Sequence, residues 1–238
     1  MGLIPYEYLT FAGRNLGAEF GVWISGSGTF DAPARDVTFQ AVPGRNGDLL
    51  FDNGRFENVS VTYPAFISRH FRPRIDDLRA FLTGQIGYQV LRDTYHPDEF
   101  RQAAFVGGLS VSPTTLNRAG RFNLTFRCKP QRFLEFGAVP LPEFSAAGVI
   151  FNPTQFKARP LITVYGTSGS ITLNGVTVAV SGITGGSAVI DCDLMEVPGY
   201  NKTTILSNGE FPQLDPGENE LTFSGFSRVV ITPRFYTI

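Results

Sequence analysis

The residues best suited to chemistry lie close together in one polar segment, 92–100. Its side chains can ligate a metal ion or transfer protons, and they are Asp93, His96, Asp98 and Glu99. No second histidine or pair of carboxylates stands elsewhere at a recognisable spacing, and Pro97 interrupts the segment. We interpret it as a solvated connection between strands, with a metal or acid–base site as the alternative hypothesis.

Other arrangements typical of enzymes are missing from the sequence. There is no P-loop and no H-E-x-x-H, and the run 166–169 (GTSG) lacks the spacing of G-x-S-x-G. Asp191 and Asp193 alternate with apolar residues, so we interpret them as the polar face of a strand. A catalytic triad has few candidates, because His70 and His96 are the only histidines. We predict that the protein is not an enzyme and needs no cofactor or metal.

The composition narrows the class of protein. A net charge of −1 predicts neither a nucleic-acid binder nor a membrane-surface protein, and 26 glycines with 16 prolines favour many short strands and turns. Cys128 and Cys192 have neither a disulfide pattern nor zinc spacing, so we expect two buried thiols in a reducing compartment. We find no signal peptide and no apolar run that could span a bilayer. We therefore expect assembly in a cytoplasm without membrane insertion.

The stretch from Asp36 to Tyr63 predicts strands joined by tight turns. Apolar and polar residues alternate over 37–41 and 59–63, the period of half-buried strands, and 49–51 is a short apolar segment. Turn signals separate them: Pro43-Gly44, Asn46-Gly47 and Asn53-Gly54. We expect three antiparallel strands joined by two turns.

One helix is predicted, from Arg72 to Gly84. Its apolar residues fall on one stripe, Pro73 suits the first helical position, and Gly84 suits the residue after the helix end. Before the helix we predict a strand over 18–24. After it we predict strands over 88–91, 103–112 and 120–128, the last ended by Lys129-Pro130.

The second half of the chain is predicted to be purely β. Short strands alternate with turn signals over 160–165, 170–173, 176–180, 188–193, 203–206, 219–223 and 228–233. Asn174-Gly175 is typical of a two-residue hairpin turn. The proline-containing segment before these strands has no clear period. We predict a mainly β chain: an N-terminal β-barrel or sandwich-like domain with one helix (1–133), a linker (134–148) and a C-terminal β-sandwich (149–238).

Several runs of this chain resemble siphophage distal tail proteins. VPGRNGDLLFDNGRFEN, followed by an alternating strand ending in Tyr63-Pro64, looks like the N-terminal domain of that family. RFNLTFRCKPQRFLEFG is similar to the junction between its two domains. FNPTQFKARPLITVYGTSGSITLNG, VIDCD, NGEFPQLDPGENELTFSG and ITPR follow in the order of its galectin-like C-terminal sandwich. Each motif is also simply a good turn, but their joint order over nearly the whole chain is specific.

The resemblance implies a mechanical function in the virion. N-terminal domains of the family form a hexameric ring that leaves a channel for DNA passage. The ring stacks on the tail tube protein, with a tail-tip protein below. The C-terminal domains project outward, where receptor-binding or baseplate proteins attach. For this chain it therefore implies a homohexameric tail-tip hub that meets DNA only in transit.

One loop is our candidate for a subunit contact. We expect it to touch a neighbouring subunit or the tube protein, because a glycine-rich turn offers backbone donors and its arginine a charged anchor. It consists of Pro43, Gly44, Arg45, Asn46, Gly47 and Asp48. The alternative is a hairpin tip that only meets solvent.

A carbohydrate-binding adhesin is the alternative function. A galectin-like sandwich invites this hypothesis, although the predicted C-terminal domain has neither Trp nor His. Tyr165, Tyr200 or Tyr236 could stack on a sugar instead, and so could Trp23 of the N-terminal domain.

Overall fold

The structure, a computed structural model, describes residues 6–26, 31–114, 118–199, 203–207 and 209–238. The chain divides into two compact units, Met1–Arg132 with Ile238, and Phe133–Thr237. Each unit has a hydrophobic core of its own. The mainly β fold class is confirmed, and the two units are described separately below.

The first unit is a curled sheet with two helices. Its elements are β1 (Leu9–Phe11), β2 (Arg14–Asn15), α1 (Leu16–Phe20), β3 (Val22–Ile24), β4 (Arg35–Gln40), β5 (Leu49–Phe56), β6 (Val59–Ile67), α2 (Phe71–Gly84), β7 (Gln89–Asp93), β8 (Glu99–Ala104), β9 (Val111–Thr114) and β10 (Ala119–Leu134). The sheet runs β2-β1-β7-β8-β10-β6-β3, and β9 also pairs with β10. Strands β4 and β5 form a separate two-stranded sheet.

The long antiparallel pair β6–β10 forms the centre of this sheet. Val61 lies opposite Phe126 and Tyr63 opposite Leu124, and all four side chains are buried. The residues between them are exposed or partly exposed, which is the alternation of a sheet with one covered face. Helix α2 covers that face with the predicted stripe, and its buried residues are Phe71, Ile75, Leu78 and Leu82.

The predicted strand over 18–24 is wrong at its start, because α1 occupies Leu16–Phe20. Asn15 caps this helix by accepting a hydrogen bond from the Ala18 N–H at 2.9 Å. Gly21 ends it with a φ of 65°, the left-handed conformation common after helices. The fold therefore contains a second, short helix that the apolar period did not reveal.

Two helix-end predictions also need correction. Helix α2 begins at Phe71, so Pro73 is not the first helical residue, although it still lies in the first turn, where N–H groups have no intrahelical acceptor. Gly84 is the last helical residue rather than the one after it, and Gln85 ends the helix in an extended conformation.

Two strand boundaries differ from the prediction as well. The predicted strand over 103–112 is two strands, since β8 ends at Ala104 and β9 begins at Val111. Strand β10 continues through Pro130 to Leu134. Its pairing with β6 ends at Cys128, so on that side no partner needs the N–H that proline lacks.

The second unit contains a five-stranded and a three-stranded sheet. Its elements are the 3₁₀ turn Glu135–Ala138 and strands β11 (Gly148–Asn152), β12 (Leu161–Tyr165), β13 (Gly169–Leu173), β14 (Val176–Ser181), β15 (Ser187–Asp191), β16 (Thr203–Leu206), β17 (Gly217–Ser224), β18 (Arg228–Thr232) and β19 (Tyr236–Thr237). The sheet orders are β11-β17-β13-β14-β16 and β15-β12-β18. All seven strands predicted for this half of the chain are present, and β11 and β19 are additional.

Residues 134–148, predicted as a linker, make ordered contacts with the core of the second unit. Leu134, Leu141 and Phe144 pack against that core. The Leu141 N–H donates to the Ile231 carbonyl at 2.8 Å, and Phe144 forms a bridge with Val229. The segment therefore extends the β18 edge with main-chain hydrogen bonds.

Candidate functional site

Strands β4 and β5 form an arm, which we define as residues Arg35–Phe56. Phe39 lies opposite Leu50 and Gln40 opposite Leu49. Among the described residues, neither strand pairs with any strand other than its partner. The arm is therefore a two-stranded ribbon, a structure that is only marginally stable alone in water.

The six residues of the predicted contact loop form the end of this arm. Pro43, Gly44, Arg45, Asn46, Gly47 and Asp48 are all exposed. The Arg45 N–H donates to the Val42 carbonyl at 3.2 Å, and Gly44 and Gly47 have φ values of 79° and 80°. The loop is thus a defined turn presented at the far end of the ribbon.

The second predicted turn of this region is wrong. Asn53-Gly54 lies inside β5, where the ladder register shifts between Arg35 and Val37. Asp52 accepts a hydrogen bond from the Gly54 N–H at 2.8 Å, and Gly54 has a φ of 70°. The dipeptide therefore makes an irregularity within a strand. Strand β6 pairs with β10 and β3 instead of continuing the β4–β5 sheet.

The arm carries apolar side chains in solvent on both of its faces. Phe39, Leu50 and Phe51 are 61%, 57% and 50% exposed. Phe39 and Leu50 share one face because they are opposite each other, and Phe51 points to the other face because it adjoins Leu50 in the strand. We call these three side chains together with the loop Pro43–Asp48 the arm tip. The alternation of Val37, Phe39 and Ala41 had predicted a half-buried strand, so sequence reasoning found the loop but missed these apolar residues.

Ion pairs join four charged side chains along the arm. Arg35 contacts Asp52 at 2.5 Å, and Arg55 contacts Asp36 at 2.6 Å. Hydrogen bonds from Asn53 and Arg55 hold the pKa of the Asp36 carboxyl below its usual range. Within the described residues, Arg45 and Asp48 form no ion pair, so they are the unpaired charges of the arm.

The hydrogen bonds that the structure shows in the segment 92–100 hold the segment in place against its neighbouring strand. Asp93 accepts hydrogen bonds from the Tyr63 hydroxyl at 2.7 Å and from the His96 N–H at 2.9 Å. The His96 Nδ1 also lies 2.9 Å from Asp93, and burial raises the pKa of Tyr63, with the nearby Asp93 adding to the effect. In the described parts of the chain, no three His, Cys, Asp or Glu side chains form a group that could hold a metal. Asp93 ties the turn after β7 to β6.

Asp191 and Asp193 do not form the polar face of a strand as predicted, because β15 ends at Asp191. Asp191 is buried and binds the Arg234 guanidinium through both oxygens at 2.7 and 2.9 Å. Asp193 is exposed and lies 3.9 Å from Arg159. Both cysteines are free and buried, and burial raises the pKa of Cys128 to about 11 and that of Cys192 to about 12. Neither thiol is activated as a nucleophile.

Three of the four candidate sugar platforms have other aromatic or cationic partners. Tyr236 stacks on Phe156 at 5.6 Å between ring centroids, and the Arg228 guanidinium lies 4.0 Å from the ring centroid of Tyr165. Trp23 packs on Tyr6 and on Gly17. Tyr200 lies outside the described residues. Tyr165 and Tyr236 therefore each have a ring face in use for intramolecular contacts.

A cleft of about 870 Å³ lies over the outer face of β6 and β10. Its lining includes Pro64, Phe66, Arg121 and Asn123, together with several serines. The described residues that line it include no His, Cys, Asp or Glu, so these side chains do not form an acid–base pair.

Comparison with solved structures identifies the fold. No protein-family model and no curated protein matches the sequence. Among solved structures, the SPP1 Dit protein, described as a paradigm of the hub adsorption apparatus in phages that infect Gram-positive bacteria, has a TM-score of 0.73 at 15% identity. That match covers 98% of this chain and 100% of that one. This chain has the Dit fold.

A second solved structure agrees with the first. A chain of the phage p2 baseplate, in its activated conformation with Sr, matches with a TM-score of 0.53 at 8% identity. The match covers 95% of this chain and 98% of that chain. The Dit fold thus spans both units, and the predicted resemblance to siphophage distal tail proteins is confirmed. No helix among the described residues is long and apolar enough to cross a membrane.

Proposed function

We propose that this protein is the hub of a phage tail tip, a virion component that joins the tail tube to the host-recognition device. Six copies form a ring through their first units and leave a channel for DNA. The ring meets the tail tube protein on one side and a tail-tip protein on the other. The second units form the docking surface for receptor-binding or baseplate proteins, and assembly takes place in the cytoplasm of the bacterial host.

The observation that carries this proposal is the exposed arm within a Dit fold that spans both units. An isolated ribbon with half-exposed Phe and Leu side chains on both faces gains its stability from partners, because apolar surface of this kind is costly in water. The contact loop at the arm tip places Arg45 and Asp48 where a neighbouring subunit or tube protein can pair with them. A structural hub needs such contacts and needs no catalytic group.

The mass of the purified protein across concentration tests the proposal. Light scattering should give a particle near six times 26.1 kDa, and images of the same sample should show a central hole. Arg45→Glu should weaken ring formation at least severalfold, because it reverses a charge at the contact. Arg69→Glu, at an exposed position outside the arm, is the matched control and should assemble normally.

One outcome would count against the contact loop, and another would count against the hub. Rings that form equally well with Arg45→Glu would remove the loop from the contact. Specific binding of a sugar array by a monomeric chain would favour the adhesin, despite the intramolecular contacts of Tyr165 and Tyr236.

A further inference from the structure

Three further exposed apolar side chains lie in the first unit, outside the arm tip. Ile86, Tyr88 and Val106 are 89%, 44% and 74% exposed. We call these three residues the root patch. Ile86 and Val106 are among the most exposed large apolar side chains of the described residues, and solvent exposure of this extent is typical of contact surfaces when the side chains cluster.

The strand register brings the root patch together. Gln89 at the start of β7 lies opposite Ala103 near the end of β8. Ile86 and Tyr88 precede that pair and Val106 follows it, so all three extend from the same end of the β7–β8 hairpin.

The patch lies where the arm leaves the sheet. The Asn58 side-chain amide donates to the Tyr88 hydroxyl at 2.5 Å, and Asn58 comes shortly after the last residue of β5, Phe56. Arg35, the first residue of β4, is opposite Phe56 at this end. The root patch is therefore beside the base of the arm.

The arm of one copy cannot cover the root patch of the same copy. A strand rises about 3.3 Å per residue, so Phe39 lies about 13 Å beyond Arg35 along the ribbon. The apolar pair Phe39–Leu50 is thus held away from the base for as long as β4 and β5 remain paired. The arm of another copy faces no such restriction.

The unpaired charges at the two surfaces are complementary. The arm tip offers Asp48 and Arg45, whereas the base offers Lys129 and the exposed Glu57. The Lys129 ammonium lies 5.3 Å from the ring centroid of Tyr88. Within the described residues, Lys129 and Glu57 have no ion-pair partner, so an anion and a cation are available on each side of the contact.

We propose that the arm tip of one copy docks on the root patch of the next copy, with Phe39 and Leu50 against Ile86 and Val106, and Asp48 near Lys129. This inference rests on the proposed function and names the surfaces that make its ring. The two surfaces differ, so the contact is head to tail, and repetition of such a contact generates a closed ring or an open chain.

Engineered cysteines test the contact in the full-length protein. A chain that carries both Leu50→Cys and Ile86→Cys should give, on mild oxidation, a ladder of disulfide-linked oligomers that ends at the ring. Chains with one substitution each, when mixed, should give heterodimers and no longer species. The natural Cys128 and Cys192 are 0% and 2% exposed and need no replacement.

A matched control separates a specific contact from random collision. Leu50→Cys with Val149→Cys offers an exposed partner position in the second unit, 58% exposed against 89% for Ile86, and should give little cross-linking. Cross-linking of the control at the same rate as the test chain would overturn the inference. Rings without any linkage between positions 50 and 86 would overturn it and leave the hub proposal intact. Absence of both rings and linkage would overturn both.

Discussion

Two hairpins of this chain share a turn signal but place their apolar residues in opposite environments. The β13–β14 hairpin turns at Asn174-Gly175, and the arm turns through a loop that contains Asn46-Gly47. In β13–β14, four apolar side chains are at most 1% exposed: Ile171, Leu173, Val178 and Val180. In the arm, Phe39, Leu50 and Phe51 are at least half exposed.

The difference comes from what lies beside each hairpin. β13 also pairs with β17, β14 also pairs with β16, and their inward side chains belong to the core of the second unit. The arm has no third strand within the described residues. The first hairpin therefore stabilises the monomer, whereas the second leaves its apolar surface exposed, and we propose that a partner covers it.

The largest expected effect is loss of core packing in the buried hairpin. Leu173→Ala should lower the free energy of unfolding by about 2–5 kcal/mol, because it removes a fully buried side chain and leaves a cavity. Leu50→Ala, the matched change in the arm, should alter it by no more than about 0.5 kcal/mol. Urea unfolding of the monomer measures both. A Leu50→Ala loss as large as that of Leu173→Ala would mean that the arm packs within its own chain.

The sequence could predict the buried hairpin because all of its signals are local. Ile171 and Leu173 alternate with polar residues up to the turn, and Val176 and Val178 continue the pattern after it. The same rule applied to Asn53-Gly54 failed. Whether such a dipeptide turns the chain or bulges a strand depends on how the neighbouring strand pairs, which composition does not determine.

For the same reason, the sequence could predict the loop of the candidate site but not its exposed apolar residues. The loop Pro43–Asp48 has turn chemistry that is visible in the sequence. The exposure of Phe39 and Leu50 depends on the absence of a covering layer, and alternation cannot distinguish a strand that lacks one from a half-buried strand. The root patch has no sequence signal either, because the register of β7 and β8 brings Ile86 and Val106 to one end.

A smaller loss of stability is expected when the turn glycines are replaced by alanine. Gly175 and Gly47 have nearly equal φ values of 79° and 80°, and a methyl group at either would meet no atom within 4 Å. Replacement by Ala therefore costs mainly backbone strain, about 1 kcal/mol. Gly175→Ala should lower Tm, because its hairpin unfolds with the second unit.

Gly47→Ala should leave the Tm of the monomer unchanged, since the arm can open without exposing the core. Hydrogen exchange should instead become faster at the amides of β4 and β5 alone. Equal falls in Tm for the two variants would show that the arm unfolds together with the rest of the first unit.

The smallest expected effect is on how the stability of the fold depends on pH. Hydrogen bonds from Arg234, with help from the N–H groups of Leu194 and Asp193, hold the pKa of Asp191 below its ordinary value of 3.8. A carboxyl whose pKa is lower in the folded state stabilises the fold above about pH 4, and this contribution disappears as the pH falls through the lower folded pKa. Asp191→Asn should therefore reduce stability near neutral pH and flatten its decline in acid.

Asp36 of the arm has its pKa lowered in the same direction, by Asn53 first and then by Arg55, but it is solvated and its pairing is screened by salt. Asp36→Asn should accordingly leave the acid dependence of monomer unfolding unchanged. Urea midpoints between pH 2 and pH 6 measure both variants. An acid slope that Asp36→Asn flattens as strongly as Asp191→Asn would place the ion pairs of the arm among the contacts that stabilise the monomer, and the contrast between the two hairpins would no longer hold.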